Sequence, residues 1–147
     1  MEHLEHPTYE LWESRRLWFE ERNNELSEQG SFLVSEQACA LIAEVQSVFC
    51  AGAWLGVIIL AMAVVDAQLR ECEIPDFKGN TKKLFKNSHA NPELQKLRKR
   101  RNELIHLNPN FPAIDVDTQW AGRKEFEKDA RKAVKLMFEA FYMSPGT

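Results

Sequence analysis

The chain has 147 residues, of which 44% are hydrophobic and 28% charged, with only six Gly and six Pro. That is enough apolar material to bury a sizeable core, and no internal repeat or low-complexity tract interrupts it. Three cysteines, Cys39, Cys50 and Cys72, form no C-x-x-C pair, which excludes a recognisable zinc framework. The net charge is only −3, so any charged binding surface must come from the distribution of charge and not its total.

Strict period-2 alternation is absent, and Gly and Pro fall mostly at segment ends, so an all-α protein is expected. The fold class that follows is an up-and-down bundle of four to five helices, in one domain over 1–147. The first helix is capped by Thr8 and stops at Gln29-Gly30, with Trp12, Phe19 and Leu26 as its apolar stripe. The second starts at Ser35, with Glu36 in its first turn, and runs to about Cys72. At about 38 residues it would span roughly 57 Å, so a bend near Gly52 or Gly56 is expected. Being apolar almost all round, its middle needs cover on most sides, and a partner subunit is the simplest cover.

Residues 75–92 form a basic connector holding one short helix over 81–88. A third main helix begins at Asn91-Pro92, where proline suits the first turn, and ends by Asn108-Pro109. Residues 108–117 form a loop. The last helix covers 118–142, capped by Asp117 or Thr118, with Phe126, Ala130, Val134, Met137, Phe138 and Phe141 on its buried face.

Residues 48–65 are 18 consecutive apolar or glycine residues, the threshold length for a membrane span, and Gly52 and Gly56 make a G-x-x-x-G. The flanks are Glu44 and Asp66, with no Lys or Arg anchor before Arg70, so a buried central helix is expected and no membrane. The N-terminus, "MEHLEHPTYELWE", is acidic and lacks an apolar stretch, unlike a signal peptide. The cysteines, spaced by 11 and 22 residues on one face of a continuous helix, are expected as buried hydrophobes in a reducing, cytoplasmic compartment. Trp54 is expected to pack and not to stack on a base.

Charge is concentrated in 77–106, where nine Lys/Arg face two Glu for a net +7, leaving −10 for the rest of the −3 chain. A basic island on an acidic protein suits a phosphate-bearing partner, RNA or DNA. Lys82, Lys83, Lys86, Arg98, Lys99 and Arg100 are the candidate backbone contacts. On the third main helix the core stripe reads Leu94, Leu97, Arg101, Leu104, Ile105, so Arg101 occupies an apolar slot. An arginine there is costly unless an anion meets it. His106 follows five residues later, about 140° around a helix. The two can therefore converge near a bend or across a two-fold axis. Asn102, four residues before His106, shares its face and can hydrogen-bond the ring.

Histidine and arginine beside a phosphate suit RNA cleavage. Imidazole takes the proton of a ribose 2′-OH, and the guanidinium stabilises charge on the phosphorane. The nucleophile belongs to the substrate, so the reaction needs no metal and no cofactor.

The string Arg101-Asn102-Glu103-Leu104-Ile105-His106 resembles the R-x4–6-H motif of HEPN-domain ribonucleases, in its four-spacer form with a polar residue after the arginine. The order of a long apolar helix, a connector, a motif-bearing helix and a closing helix is similar too. The resemblance implies a metal-independent endoribonuclease, homodimeric with a composite cleft, in a bacterial or phage-related toxin or defence context with an antitoxin or defence-system partner protein. It implies Arg101 and His106 as catalytic residues, with Asn102 and Asp66 as orienting groups and Asp66 as the anion for Arg101. Leu107-Asn108 stands where some members carry x-Tyr after the histidine, the feature used for neutralisation by nucleotide modification. Many HEPN domains keep the fold without activity, so a non-catalytic module binding nucleic acid or protein is the alternative.

Overall fold

The structure, a computed structural model, describes residues 3–146, and its regular elements are helices. In chain order they are α1 (Tyr9–Ser27), α2 (Glu36–Ala51), α3 (Trp54–Gln68), a π-turn (Leu69–Glu73), α4 (Thr81–Asn87), α5 (Glu93–Ile105), α6 (Val116–Ala121) and α7 (Arg123–Phe141). No strand occurs among the described residues. A single bridge, Phe32 to Pro145, ties the loop after α1 to the C-terminal segment.

Helix α1 starts where expected, with the Thr8 hydroxyl accepting from Leu11 N–H at 3.1 Å. It buries only Arg15 and Phe19, and Trp12 lies exposed. The Ser35 cap is also as expected, its hydroxyl accepting from Ala38 N–H at 3.1 Å.

The expected 38-residue helix is two helices. Gly52, at φ 78°, closes α2 in the left-handed region. Ala53 N–H reaches back to Val48 C=O at 2.9 Å and Gly52 N–H to Phe49 C=O at 3.1 Å, the paired bonds of a Schellman cap. The chain reverses and α3 runs back along α2. Gln68, buried at the end of α3, locks this hairpin: its carbonyl accepts from Ser35 N–H at 2.8 Å and its amide donates to Leu33 C=O at 2.9 Å.

Trp54, Val57, Ile58, Ala61, Met62, Val64 and Val65 are all buried, which accounts for the lack of a polar face on α3. Its cover comes from α2, α5 and α7 of the same chain, and no partner subunit is needed for it. No helix among the described residues is long and apolar enough to cross a membrane. Trp54 packs, its ring edge-on to Phe49 at 5.4 Å.

The expected closing helix is also divided. Asp115, not Asp117 or Thr118, is the cap of α6, and its carboxylate accepts from Thr118 N–H at 2.8 Å while Asp115 N–H donates to the Thr118 hydroxyl at 2.9 Å. Gly122 then separates α6 from α7. A Cβ there would lie 2.8 Å from Thr118 C=O and 3.0 Å from the Phe126 ring, so a side chain has no room. The predicted stripe on α7 is buried in full. Division of two of the five expected helices raises the number of α-helices to seven among the described residues.

The break at Gly52 also corrects the cysteines. They share no helix face: Cys50 is buried, Cys72 half-buried and Cys39 exposed.

Candidate functional site

Helices α3, α4 and α5 meet around a cleft of about 480 Å³ lined by Asp66, Arg70, Thr81 and Arg101, with Ser35 and Gln37 from the start of α2. Each side chain gets there for a local reason. Asp66 sits in the last turn of α3, where the apolar run ends. Thr81 is the first residue of α4, set by Asn80, whose side chain caps that helix by accepting from Lys83 N–H at 2.9 Å. Arg101 takes the apolar slot of α5, whose Leu94 and Leu97 are buried beside it in the core.

The structure brings Asp66 and Arg101 to one cleft but does not pair them. The Asp66 carboxylate is already held by two other groups. Arg70 Nε donates to Oδ2 at 2.8 Å and the Thr81 hydroxyl donates to Oδ1 at 2.8 Å. Arg70 is fixed in turn by Gly79 C=O, to which Nη1 donates at 2.9 Å. Arg101 has no ion-pair partner among the described residues, and its Nε is their one buried side-chain nitrogen without a hydrogen bond. A buried N–H with no acceptor costs about 1–3 kcal/mol, more when the group is charged. Arg101 also lines the cleft, where Glu71 stands as a second acid besides Asp66.

His106 lies elsewhere. It caps the C-terminus of α5, at φ −121° and ψ 115°, so the backbone turns extended there and carries the ring out to solvent. It is not among the residues lining the cleft. Asn102 holds it through the main chain, His106 N–H donating to Asn102 C=O at 3.0 Å, and not through its side-chain amide. Within one chain the arginine and the histidine of the motif therefore face different surroundings.

The basic island divides as well. Lys82, Lys83, Lys86 and Lys99 are exposed. Arg98 Nε donates to the Gln95 side chain at 2.9 Å, and Arg100 is drawn to Glu103 at 3.5 Å and to the Phe126 ring at 5.9 Å. The four lysines are the freer cations; Lys82, Lys83 and Lys86 follow Thr81 on α4, and none of them lines the cleft. His89 is exposed in the connector. Among the described residues no three His, Cys, Asp or Glu side chains gather as a metal site would require.

Arg70 and Thr81 escape a reading of the sequence as site residues. Arg70 carries a signal, an acid four residues before it on a helix. Thr81 carries none, because its contact with Asp66 depends on how the connector folds back.

Compared with protein-family models, with curated proteins and with solved structures, the chain matches none.

Proposed function

We propose that this chain is an endoribonuclease that cleaves RNA without a metal, acting as a homodimer. The observation that carries the reading is Arg101, which lines the cleft without an ion-pair partner and with its Nε unsatisfied, on a protein whose α4 exposes Lys82, Lys83 and Lys86. A phosphodiester supplies the missing acceptor, and the lysines hold the flanking backbone. His106 of a second copy then completes the site: its neutral imidazole takes the 2′-OH proton, and the 2′-oxygen attacks phosphorus. The 5′-oxygen leaves and takes the proton back from the imidazolium, so the products are a 2′,3′-cyclic phosphate and a 5′-hydroxyl. Arg101 stabilises the non-bridging oxygens as charge builds on them. Asp66, clamped by Arg70 and Thr81, keeps the cleft open by leaving Arg101 unpaired.

A second reading rests on the position of His106. Its exposure, outside the cleft, also suits a module that binds RNA phosphate without cutting it.

Incubating a structured RNA with purified protein in EDTA separates the two. Under the first reading, wild type leaves 2′,3′-cyclic phosphate ends, and His106→Ala loses about 10²–10⁴ in rate while keeping its RNA affinity. Equal cleavage by the variant sinks the assignment of His106. Binding without cleavage by either protein selects the second reading.

A further inference from the structure

Four charged side chains line the cleft, and two of them satisfy each other. Asp66 and Arg70 are joined at 2.8 Å, and the Asp66 carboxylate also accepts from Thr81. The other two are Arg101 on α5 and Glu71 in the π-turn that follows α3. Among the described residues neither belongs to an ion pair, and they do not pair with each other. Glu71 is exposed, so water meets its carboxylate, whereas the Arg101 Nε is buried without an acceptor.

A guanidinium only donates hydrogen bonds and a carboxylate only accepts them. Two such groups that line one cleft without joining suit a molecule with an acceptor at one end and donors at the other. Ala63 and Ala67, one turn apart on α3, bring only methyl groups to the wall, which accepts the face of a ring. The volume of about 480 Å³ falls in the range of small-molecule sites, roughly 300–1,000 Å³, and has room for a nucleotide.

A nucleotide offers its phosphate to Arg101. What it offers Glu71 depends on the base. Adenine and cytosine present an amino group beside a ring nitrogen that is itself an acceptor and repels a carboxylate. Uracil presents one N–H between two carbonyls. Guanine alone presents two donors side by side, N1–H and the N2 amino group, which match the two oxygens of a carboxylate. We infer that Glu71 reads guanine through N1–H and the N2 amino group while Arg101 holds the phosphate of the same nucleotide, so that the cleft selects guanosine among the four nucleotides. The inference rests on the ribonuclease reading for the source of that guanosine, an RNA chain, but binding of a mononucleotide tests it without catalysis.

The experiment titrates the full chain with guanosine, inosine and adenosine 5′-monophosphates in a calorimeter. The three share the phosphate and differ at the base edge, and inosine lacks only the N2 amino group. Wild type should prefer the guanosine nucleotide to the adenosine one by about five- to hundredfold, the discrimination of one bidentate pair, with inosine between them. Glu71→Gln replaces one acceptor by a donor and should remove the preference while leaving the adenosine nucleotide within about twofold. Retained adenosine binding shows that the variant is folded. Arg101→Met should weaken all three together.

Equal affinity of wild type for the guanosine and adenosine nucleotides overturns the inference. So does a guanine preference that survives both Glu71→Gln and Glu71→Ala, or a failure of wild type to bind the guanosine nucleotide. Cleavage of RNA in EDTA by a protein without guanine preference removes this inference alone. A Glu71-dependent preference without any cleavage removes the catalytic reading alone.

Discussion

Arg15 on α1 and Arg101 on α5 both turn a guanidinium into the protein from a helix otherwise in contact with the core. Around Arg15 an acid, a carbonyl and an aromatic ring are gathered. Glu5 lies 2.6 Å from Nη2, Cys50 C=O accepts from Nη1 at 3.2 Å, and the Trp54 ring covers the plane at 4.7 Å. Arg123 closes the other side, pairing with Glu5 at 3.2 Å and donating to Gly52 C=O. The result is a corner sealed over the α2–α3 reversal, with Arg15 only 5% exposed. In the cleft that Arg101 lines, the Asp66 carboxylate is already held by Arg70 and Thr81, and Nε meets nothing. A buried cation paired with an acid and a carbonyl holds the fold together. One held without such partners costs stability, and Arg101 is one that lines a cleft.

The sharpest way to break this contrast is to replace each arginine by methionine, which keeps the packing of the stem and removes the charge. Arg101→Met should lower RNA cleavage by about 10²–10³, the usual loss for one oxyanion-stabilising donor. Its urea-denaturation stability should rise by about 1–3 kcal/mol, because the unsatisfied buried Nε is removed and no hydrogen bond of the guanidinium is lost. Arg15→Met should do the reverse. It leaves the Cys50 carbonyl without that donor and Glu5 with Arg123 alone, and should destabilise by about 2–3 kcal/mol, with activity per folded molecule unchanged. If Arg101→Met proves as destabilising as Arg15→Met, the cleft arginine is structural and the contrast fails.

Next in size is Gly52, which the Arg15 corner encloses. Its φ of 78° alone costs an L-residue about 1–2 kcal/mol. A Cβ would also lie 2.5 Å from Glu5 Oε2 and 3.1 Å from Arg15 Nη1. Gly52→Ala should therefore destabilise by about 1–3 kcal/mol, and less so when Glu5→Ala is present to relieve the clash. A double-mutant cycle reads the difference as coupling. Strict additivity would mean that Glu5 does not press on the reversal.

The elements written in local chemistry were legible. Thr8 and Ser35 cap where a side-chain oxygen precedes an amphipathic or apolar run, and the α7 stripe repeats at helical spacing. Residues 48–65 were not. A run that is apolar on every side has no phase, so nothing local distinguishes one long helix from two antiparallel ones. Gly52 marked the place, but a bend and a full reversal share that marker. The shared face for Cys39, Cys50 and Cys72 fell with the continuous helix it assumed. The site divides in the same way. Arg101 stood out because an arginine broke a stripe, a feature of one helix. Its lack of a partner was hidden, since that depends on Thr81 and Arg70 reaching Asp66 first. The exposed position of His106 likewise depends on the backbone leaving the helix at that residue.

The smallest expected effect concerns the sealed corner itself. Cys50 is 1% exposed, and burial pushes its thiol above the ordinary 9.0, while the Arg15 charge beside it pulls the other way. In the unfolded chain the thiol ionises near its ordinary value, and in the folded protein it keeps its proton to higher pH. The contribution to stability is therefore full below about pH 8.5 and is lost as the pH rises through the raised value. Burial also raises the phenol of Tyr142 and the thiol of Cys72, so the total slope in alkaline buffer mixes three groups. The useful readout is the difference between wild type and Cys50→Ala in urea denaturation from pH 7.5 upward. That difference should shrink with pH if Cys50 titrates as its burial dictates. In the Arg15→Met background the opposing charge is gone, the thiol should hold its proton to still higher pH, and the window should extend upward. A window that ignores Arg15 would show that the guanidinium seals the corner through Glu5 and Trp54 alone, with no reach to the sulfur.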